Sequence, residues 1–532
     1  MEPHFDDSAV HVVARLDEFF AQRTPWHRRL WTVGTVLGLK EAAEYAAACI
    51  DGAVQSTEGL RFVVASCRRE VDRDPGVRHL SAGLMHVLAE LDVTAASKVP
   101  PHAVEQLHQL IRRAEEEYCA AWQSAGSGVA LEYRARAIAS HLLDAGFSQS
   151  HLHRWLQAVR EDISTIPDLA NELSTMVSSM AGKEFHVFVP CAAPFNKPSQ
   201  PEAAVRWIDG AEGSAWLDKN LPAPETRRHN GGFLMTLHER DPWAAIETAR
   251  GLIGRMNARV KVATPSNEAI ALAGWARIGG NKHNFDIRQA PRQVEIGSLD
   301  RMDAVYRFDV GLSPSVDDAL ELASYMEESP SAGAAITGGW SAIESLLIRP
   351  GEGNHYLAAD RLASLVTCSL PRAELTALAY RHAQNAKDDL AARIQSESTN
   401  RAKVELAEAH LAQGGNLALM TPGDQAAAAR ICTILAAPAD ELGRIRSYVT
   451  ESLRRLYNQR NMITHAGTFQ SVALHPTIRT ALSLVAAGLD RVVHAQLETA
   501  GAVSPLQLLA RAETELRLVG TAGGRGLASL LD

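Results

Sequence analysis

The chain has 532 residues, of which 46% are hydrophobic and 22% charged, and its formal net charge is −9. Such a composition is typical of a globular protein with enough apolar material for about three domains. The negative charge excludes a basic protein that coats nucleic acid over a large surface. The six cysteines form no CxxC pair, which argues against a zinc module or a disulfide scaffold. No signal peptide and no apolar run of about 18 residues is recognised, so a cytoplasmic protein without membrane contact is expected.

Residues 1–183 are predicted to form a helical N-terminal region. Apolar residues recur at three- and four-residue spacing between charged ones, for example in predicted helices from Ser8 to Phe20 and from Val104 to Trp122. The alternation that is typical of strands is scarce in this region. It carries no motif of its own, and a sensory or regulatory role is a hypothesis for it.

Residues 184–312 are predicted to form an α/β domain with a mixed sheet, which could be regulatory or bind a ligand. Its helix begins at Asp241-Pro242, where Asp caps free amides and Pro suits the first helical position, and is expected to end near Asn257. Six runs are predicted strands: EFHVFVP (184–190), GGFLMTLHER (231–240), ARVKVATP (258–265), LAGWARI (272–278), RQVEIGS (292–298) and AVYRFDV (304–310).

Residues 313–532 are predicted to form a helical bundle, which makes the fold class of the whole chain mostly α. Ser315 and Asp318 fit a capping box for a helix over VDDALELASYMEE, and Gly338-Gly339 is expected to break the chain. Further helices are predicted from 340 past 347, over 356–366, 374–412, 424–436 and 441–465, and from 476 past 497.

The most informative local pattern is YNQRNMITHAG, residues 457–467. Gly467 is a natural helix stop, so Arg460, Asn461 and His465 lie in the last two turns of the predicted helix. Asn461 and His465, four residues apart, share a face, whereas Arg460 and His465 are about 140° apart on an ideal helix. A distorted helix end or a second subunit would bring an Arg and a His together.

These residue types suit RNA cleavage by the 2′-hydroxyl without a metal or another cofactor. The reaction needs a base for the hydroxyl, an acid for the leaving oxygen and positive charge for the phosphorane. The planar fork of Arg bonds two phosphate oxygens at once, and a helix C-terminus favours a protonated imidazole. We therefore expect Arg460 to hold the phosphate, His465 to handle protons and Asn461 to orient them.

A basic and aromatic cluster precedes this motif. Arg454, Arg455 and Tyr457 are predicted to contact RNA backbone and bases, although a solvated helix face is an equal alternative. Arg136 and His141 repeat the Arg-x4-His spacing without the Asn, and they are interpreted as structural. The run HLHRW (151–155) is interpreted as an ordinary helix. GGNKHNF (279–285) and TRRHNGG (226–232) are interpreted as polar turns, with contact to phosphate or another ligand as the alternative.

Residues 313–532 resemble an HEPN domain, particularly the Apea-like group linked to abortive infection. The resemblance lies in two blocks, WSAIESLLIRP (340–350) followed by HYLAADRLASLV (355–366), and Arg-Asn-x-x-x-His at 460–465. It covers about the last 40% of the chain. It implies a dimerising helical bundle in which Arg460 and His465 are catalytic, Asn461 supports them, and Glu344 takes the acidic position of the first block.

The resemblance implies a metal-independent endoribonuclease in bacterial anti-phage defence or toxin-like growth arrest. Its expected partners are RNA, with tRNA as one candidate, a second copy of the chain, and a phage-derived trigger acting through residues 1–312. One alternative is a non-catalytic HEPN module for dimerisation or binding, in which RNMITH is structural. Another gives the central domain the active role, with its loops binding a small nucleotide.

Overall fold

The computed structural model describes residues 7–54, 57–93, 98–123, 128–179, 182–193, 204–220, 228–263, 269–288, 294–308, 311–329, 331–354, 356–467 and 470–531. These residues form twenty α-helices and one five-stranded sheet, which confirms a mostly α fold with a central sheet. The chain divides into two compact units. The first unit contains Met1–His141, Arg160–Ala170 and Arg292–Asp532, and the second contains Leu142–Val159 and Asn171–Pro291. The boundaries at 183 and 312 remain a prediction.

The N-terminal part is helical, and both helices predicted there are confirmed. Their spacing places one apolar stripe on each helix, which packs into the interior. The first six helices are α1 (Asp7–Phe20), α2 (Thr35–Ile50), α3 (Glu58–Val71), α4 (Ser81–Leu91), α5 (Pro101–Gln123) and α6 (Leu131–Asp144).

The next elements are the strands of the sheet and the helices that lie before and between them in the chain. They are α7 (Gln149–Val159), α8 (Ile166–Ser179), β1 (Lys183–Pro190), β2 (Val205–Ile208), α9 (Gly210–Asn220), β3 (Gly232–Glu239), α10 (Pro242–Ala263), β4 (Trp275–Ile278) and β5 (Phe285–Asp286). The strand order is β2-β3-β1-β4-β5, and each described pairing is antiparallel. The sheet is therefore antiparallel across the described strands, and the parallel pairs of a mixed sheet are not found among them.

Asp241 begins α10 as predicted. Its Oδ1 accepts hydrogen bonds of 2.9 Å from the backbone amides of Trp243 and Ala244, and its carboxylate also accepts two bonds of 2.7 Å from Ser148. Asp241 is completely buried, so these four bonds satisfy a charge that is withdrawn from water.

Three of the six predicted strands are wrong over their described residues. ARVKVATP continues α10 as far as Ala263, because the helix that begins at Pro242 extends through these residues despite their β-branched side chains. Val262 is 87% exposed, so no neighbouring strand covers it. Residues 264–265 lie outside the described residues. RQVEIGS lacks a strand over 294–298 and enters a short helix, α11 (Gly297–Arg301), while 292–293 lie outside the described residues. AVYRFDV is irregular over 304–308, and Tyr306 and Phe308 are exposed with no strand beside them to bury them; 309–310 are not described.

The C-terminal helices complete the first unit. They are α12 (Pro314–Glu328), α13 (Ala332–Leu347), α14 (Leu357–Asn385), α15 (Asp389–Ser396), α16 (Asn400–Ala412), α17 (Pro422–Ala436), α18 (Pro438–Ala466), α19 (Leu474–Glu498) and α20 (Pro505–Leu518). They surround one large apolar core, in which the ring of Trp340 is fully buried.

Several predicted ends in this part are wrong. The cap residue of α12 is Ser313 and not Ser315, because Pro314 takes the first helical position. Gly338 and Gly339 lie inside α13, where a Cβ would come within 2.7 Å of the Leu322 carbonyl and 2.9 Å of the Met326 sulfur. Glycine at these positions therefore allows α12 and α13 to approach closely.

The long helix predicted over 374–412 is three helices. α14 begins at Leu357 and continues past residue 374, whereas α15 and α16 begin anew after it. Asp388 caps α15 by accepting from the Ala391 amide at 2.8 Å, and Thr399 caps α16 by accepting from the Ala402 amide at 3.2 Å. These two cap residues mark the starts of new helices, which the apolar periodicity alone did not reveal.

Candidate functional site

The RNMITH motif lies at the C-terminal end of α18, as predicted. Val449, Leu453 and Leu456 are completely buried and fix the inward face of this 29-residue helix. Gly467 ends the helix in the left-handed conformation, with a φ of 63°, and its amide donates to the Met462 carbonyl. This end places His465 in the last turn, where its side chain is exposed.

Arg460 and Asn461 are in direct contact. The Arg460 Nη1 donates to the Asn461 Oδ1 at 3.1 Å, and the Asn461 side chain is also hydrogen-bonded to the Tyr457 hydroxyl. Burial raises the pKa of that Tyr457 hydroxyl above its ordinary value. The Nε of Arg460 is buried and finds no hydrogen-bond partner among the described residues. Asn461 therefore holds the Arg460 guanidinium on one side.

Arg460 and His465 do not converge within one chain. The helix is continuous from Pro438 to Ala466, so the two residues keep the separation of about 140° that an ideal helix imposes. No hydrogen bond joins them in the part of the chain that the structure describes. A local distortion of the helix end, which would have brought them together, is thus not found.

The first block of the HEPN resemblance lies against the part of α18 that directly precedes the RNMITH motif. The Trp340 and Tyr457 ring centroids are 4.9 Å apart, and Tyr356 meets Tyr457 edge to face at 5.1 Å. Glu344 is half-buried, and its charge contributes to the raised pKa of Tyr457. Glu344 makes no described hydrogen bond to Arg460 or His465, so its described link to the motif is the effect of its charge on Tyr457.

The predicted RNA-contacting patch needs correction. Arg455 is 4% exposed, and its Nε donates to Glu41, which is completely buried, at 2.8 Å. Arg454 is half-buried and forms a bidentate pair with Asp360, with bonds of 2.8 and 2.7 Å, and Tyr457 is 9% exposed. Because two members are buried and the third is paired, these residues form no open basic surface; they hold α18 in place.

Sequence reasoning missed Glu41 and Asp360 as partners of this helix. Asp360 belongs to the HYLAADRLASLV block, so an acidic residue there was a visible signal. Glu41 is 414 residues from Arg455 in sequence, and no local pattern could link the two.

The motifs interpreted as structural occupy packed positions. His141 is buried and stacks on Tyr118 with centroids 3.7 Å apart, and the His151 ring lies 6.0 Å from Phe147. In GGNKHNF, the Lys282 carbonyl accepts a 3.0 Å bond from Arg277. In TRRHNGG, residues 226–227 lie outside the described residues, and His229 packs edge-on to Phe188 at 5.5 Å.

The described residues contain no group of three or more His, Cys, Asp or Glu side chains that could hold a metal ion. A helix of the length and apolarity needed to cross a lipid bilayer is likewise absent from the described ranges. No protein-family model, no curated protein and no solved structure matches this chain. Its function is therefore argued from its own residues.

Proposed function

We propose that this chain is a metal-independent endoribonuclease of the HEPN type, acting in the cytoplasm in anti-phage defence or toxin-like growth arrest. The observation that carries the proposal is the arrangement at the end of α18. An exposed His465 lies one turn beyond Asn461, and Asn461 hydrogen-bonds to Arg460. The contact of Trp340, in the first HEPN-like block, with Tyr457, just before the second, supports it.

In the proposed reaction, the 2′-hydroxyl of RNA attacks the adjacent phosphorus. His465 handles a proton at the attacking or leaving oxygen, and Arg460 stabilises the negative charge on the phosphorane. The O5′ leaves and takes a proton, so the products are a 2′,3′-cyclic phosphate and a 5′-hydroxyl. Asn461 acts by holding the Arg460 guanidinium.

A homodimer is part of the proposal. Because Arg460 and His465 diverge on a regular helix, one active site would take its Arg from one copy and its His from another. RNA is the proposed substrate, and a phage-derived trigger acting on residues 1–312 is the proposed control.

The divergence of Arg460 and His465 on one helix also favours the alternative, a non-catalytic HEPN module. Sequencing of RNA 5′-hydroxyl ends distinguishes the two, in cells that express wild type or His465→Ala at equal abundance, with and without phage challenge. His86→Ala is the matched control, because the His86 side chain is 72% exposed and lies elsewhere in the same unit. New 5′-hydroxyl ends with wild type and His86→Ala, but not with His465→Ala, would support the nuclease. Identical profiles from folded proteins under every condition would favour a binding module.

A further inference from the structure

The buried part of α18 has one apolar face and one polar face. Its apolar face, which includes Leu453, belongs to the core that the C-terminal helices share. Its polar face consists of Ser452, Arg455 and Gln459, which are 0%, 4% and 1% exposed. Because these residues are three and four positions apart, they lie on one side of the helix. We call them the polar stripe of α18.

The polar stripe is buried without most of the hydrogen bonds that burial requires. Arg455 donates to Glu41 of α2 at 2.8 Å, but the Oε1 of Glu41 has no partner among the described residues. The Ser452 hydroxyl and both polar atoms of the Gln459 amide are likewise without a described partner. Native proteins pair the large majority of their buried polar groups, because an unpaired group loses its bonds to water. Permanent burial of this stripe is therefore unfavourable.

Helices α2 and α3 reach α18 through side chains rather than through close backbone packing. Glu451 of α18 accepts a 3.2 Å hydrogen bond from Ser66 of α3. Glu44 of α2 accepts from the Ser471 hydroxyl at 2.6 Å and from the Val472 amide at 3.3 Å. Ser471 and Val472 lie between the RNMITH motif and α19. α2 therefore holds the connection that follows the motif as well as the polar stripe.

The helices on the two sides of this contact each have apolar burial of their own. α2 to α5 pack against one another, and their fully buried side chains include Leu60, Leu84, Leu88 and Leu107. On the other side, α18 keeps Leu453 in the core of the C-terminal helices. Neither side therefore depends on the polar stripe for the burial that stabilises it.

A separate contact ties the start of the chain to the C-terminal helices. Arg28, in the turn that follows α1, donates to Glu374 of α14 at 2.6 Å and to Asp424 of α17 at 2.9 Å. All three side chains are buried. Because breaking a buried ion pair is costly, α1 stays attached to the C-terminal helices when α2 to α5 move.

We propose that α2 to α5 form a releasable cover on the polar stripe of α18. In the closed state, Glu41 and Glu44 hold α18 and the connection that follows it. In the released state the polar stripe is hydrated, and the end of α18 that carries His465 is free to meet a second copy of the chain. The trigger acts by favouring release; this consequence for RNA cleavage rests on the proposed function, whereas the release itself does not.

Two native cysteines report release and global unfolding separately. Cys67 of α3 is 3% exposed and lies beside Ser452 and Arg455, whereas Cys368 is completely buried in the C-terminal core. The full chain is incubated with iodoacetamide under native conditions, and the labelled peptides are quantified by mass spectrometry. Cys67 is expected to react at least about tenfold faster than Cys368, because release exposes it without unfolding the core. Equal rates for the two thiols would overturn the proposal.

Ser452→Ala tests the polar stripe, with Ser483→Ala as its matched control. Both substitutions remove a buried hydroxyl without a described partner, but Ser483 lies in α19. Ser452→Ala should stabilise the closed state and slow the labelling of Cys67 about tenfold. Ser483→Ala should slow only Cys368, because the surroundings of Ser483 are the same in both states. If it slows Cys67 as much as Ser452→Ala does, only global unfolding exposes Cys67 and the proposal fails.

Glu44→Ala should have the opposite effect. It removes two hydrogen bonds that only the closed state makes, so the labelling of Cys67 should become about tenfold faster. Glu44→Gln keeps a side-chain oxygen that accepts from Ser471, and it should restore most of the wild-type rate. An unchanged Cys67 rate in Glu44→Ala would contradict the proposed cover.

Sequencing of RNA 5′-hydroxyl ends tests the link between release and cleavage. Glu44→Ala should produce such ends without phage challenge, and Ser452→Ala should produce fewer of them than wild type during challenge. Unchanged cleavage by both variants of an active ribonuclease would overturn control by release. If wild type cleaves no RNA, the proposed function fails, while the labelling of Cys67 still decides whether the cover opens.

Discussion

The Nε of Arg455 donates a 2.8 Å hydrogen bond to Glu41, and this pair joins α18 to α2 in the interior of the first unit. Both side chains are almost wholly buried, so each charge depends on the other. Burial by itself would lower the pKa of Arg455, but the Glu41 charge and hydrogen bond hold it above its ordinary value. The residue predicted to contact RNA is thus part of the support of the helix that carries the motif.

Removing one partner of this pair should destabilise the protein strongly. Glu41→Leu or Arg455→Met should each lower the free energy of unfolding by about 3–5 kcal/mol, because the remaining charge is buried alone. The double variant should recover most of that loss. Chemical denaturation of the three variants measures this coupling, and additive losses in the double variant would show that the two charges do not support each other.

A dimeric active site predicts complementation between inactive chains. Arg460→Ala and His465→Ala should each be inactive alone, while the two chains expressed together should regain about a quarter of wild-type 5′-hydroxyl ends, because half of the dimers are mixed and each mixed dimer has one intact site. Wild type expressed with the double variant is the control for expression level. No recovery in mixed dimers whose formation has been verified would mean that Arg and His do not act across the interface.

Two glycines, one inside α18 and one that ends it, should respond to alanine with opposite signs. An added Cβ meets no atom within 4 Å at either position, but Gly467 has a φ of 63° and Gly443 lies inside the helix. Gly467→Ala should lower the free energy of unfolding by about 1 kcal/mol, since an L side chain disfavours the left-handed region. Gly443→Ala should raise it by about 0.5–1 kcal/mol. Thermal unfolding of both variants checks this, and a loss at both positions would contradict the backbone argument.

The buried His27 should make the protein sensitive to mild acid. Burial lowers the pKa of His27 to about 4 from an ordinary 6.5, and neither ring nitrogen has a described hydrogen-bond partner. Glu374 lies 3.9 Å away and favours the charged form, whereas the charges of Arg28, Arg430 and Arg15 oppose it. The imidazole is therefore buried neutral.

The unfolded chain binds this proton more readily than the folded one between pH 6.5 and 4. Stability should consequently decline as the pH falls through that window, by about 3 kcal/mol for this group alone. His27→Gln should remove this part of the slope, and His86→Ala, at an exposed histidine, should leave it. Denaturation curves at several pH values provide the measurement; equal slopes for wild type and His27→Gln would exclude His27 as the cause.

Much of the fold could be predicted from local patterns. Three- and four-residue spacing located α1, α5 and α18, the Asp-Pro pair located the start of α10, and Gly467 located the end of the candidate site. The strand predictions for 258–265 and 304–310 were wrong, because β-branched and aromatic residues favour a strand only where a neighbouring strand covers them. Here the described residues either continue a helix or remain exposed.

The sequence by itself determined the helical character of the chain and the placement of Arg460, Asn461 and His465 at one helix end, because these depend on residues within a few turns of each other. The tertiary structure alone decided that Arg455 is buried against Glu41. It also decided that Gly338 lies inside a helix that packs closely against α12. These features depend on contacts between different helices, which form only after the chain has closed the loops between them.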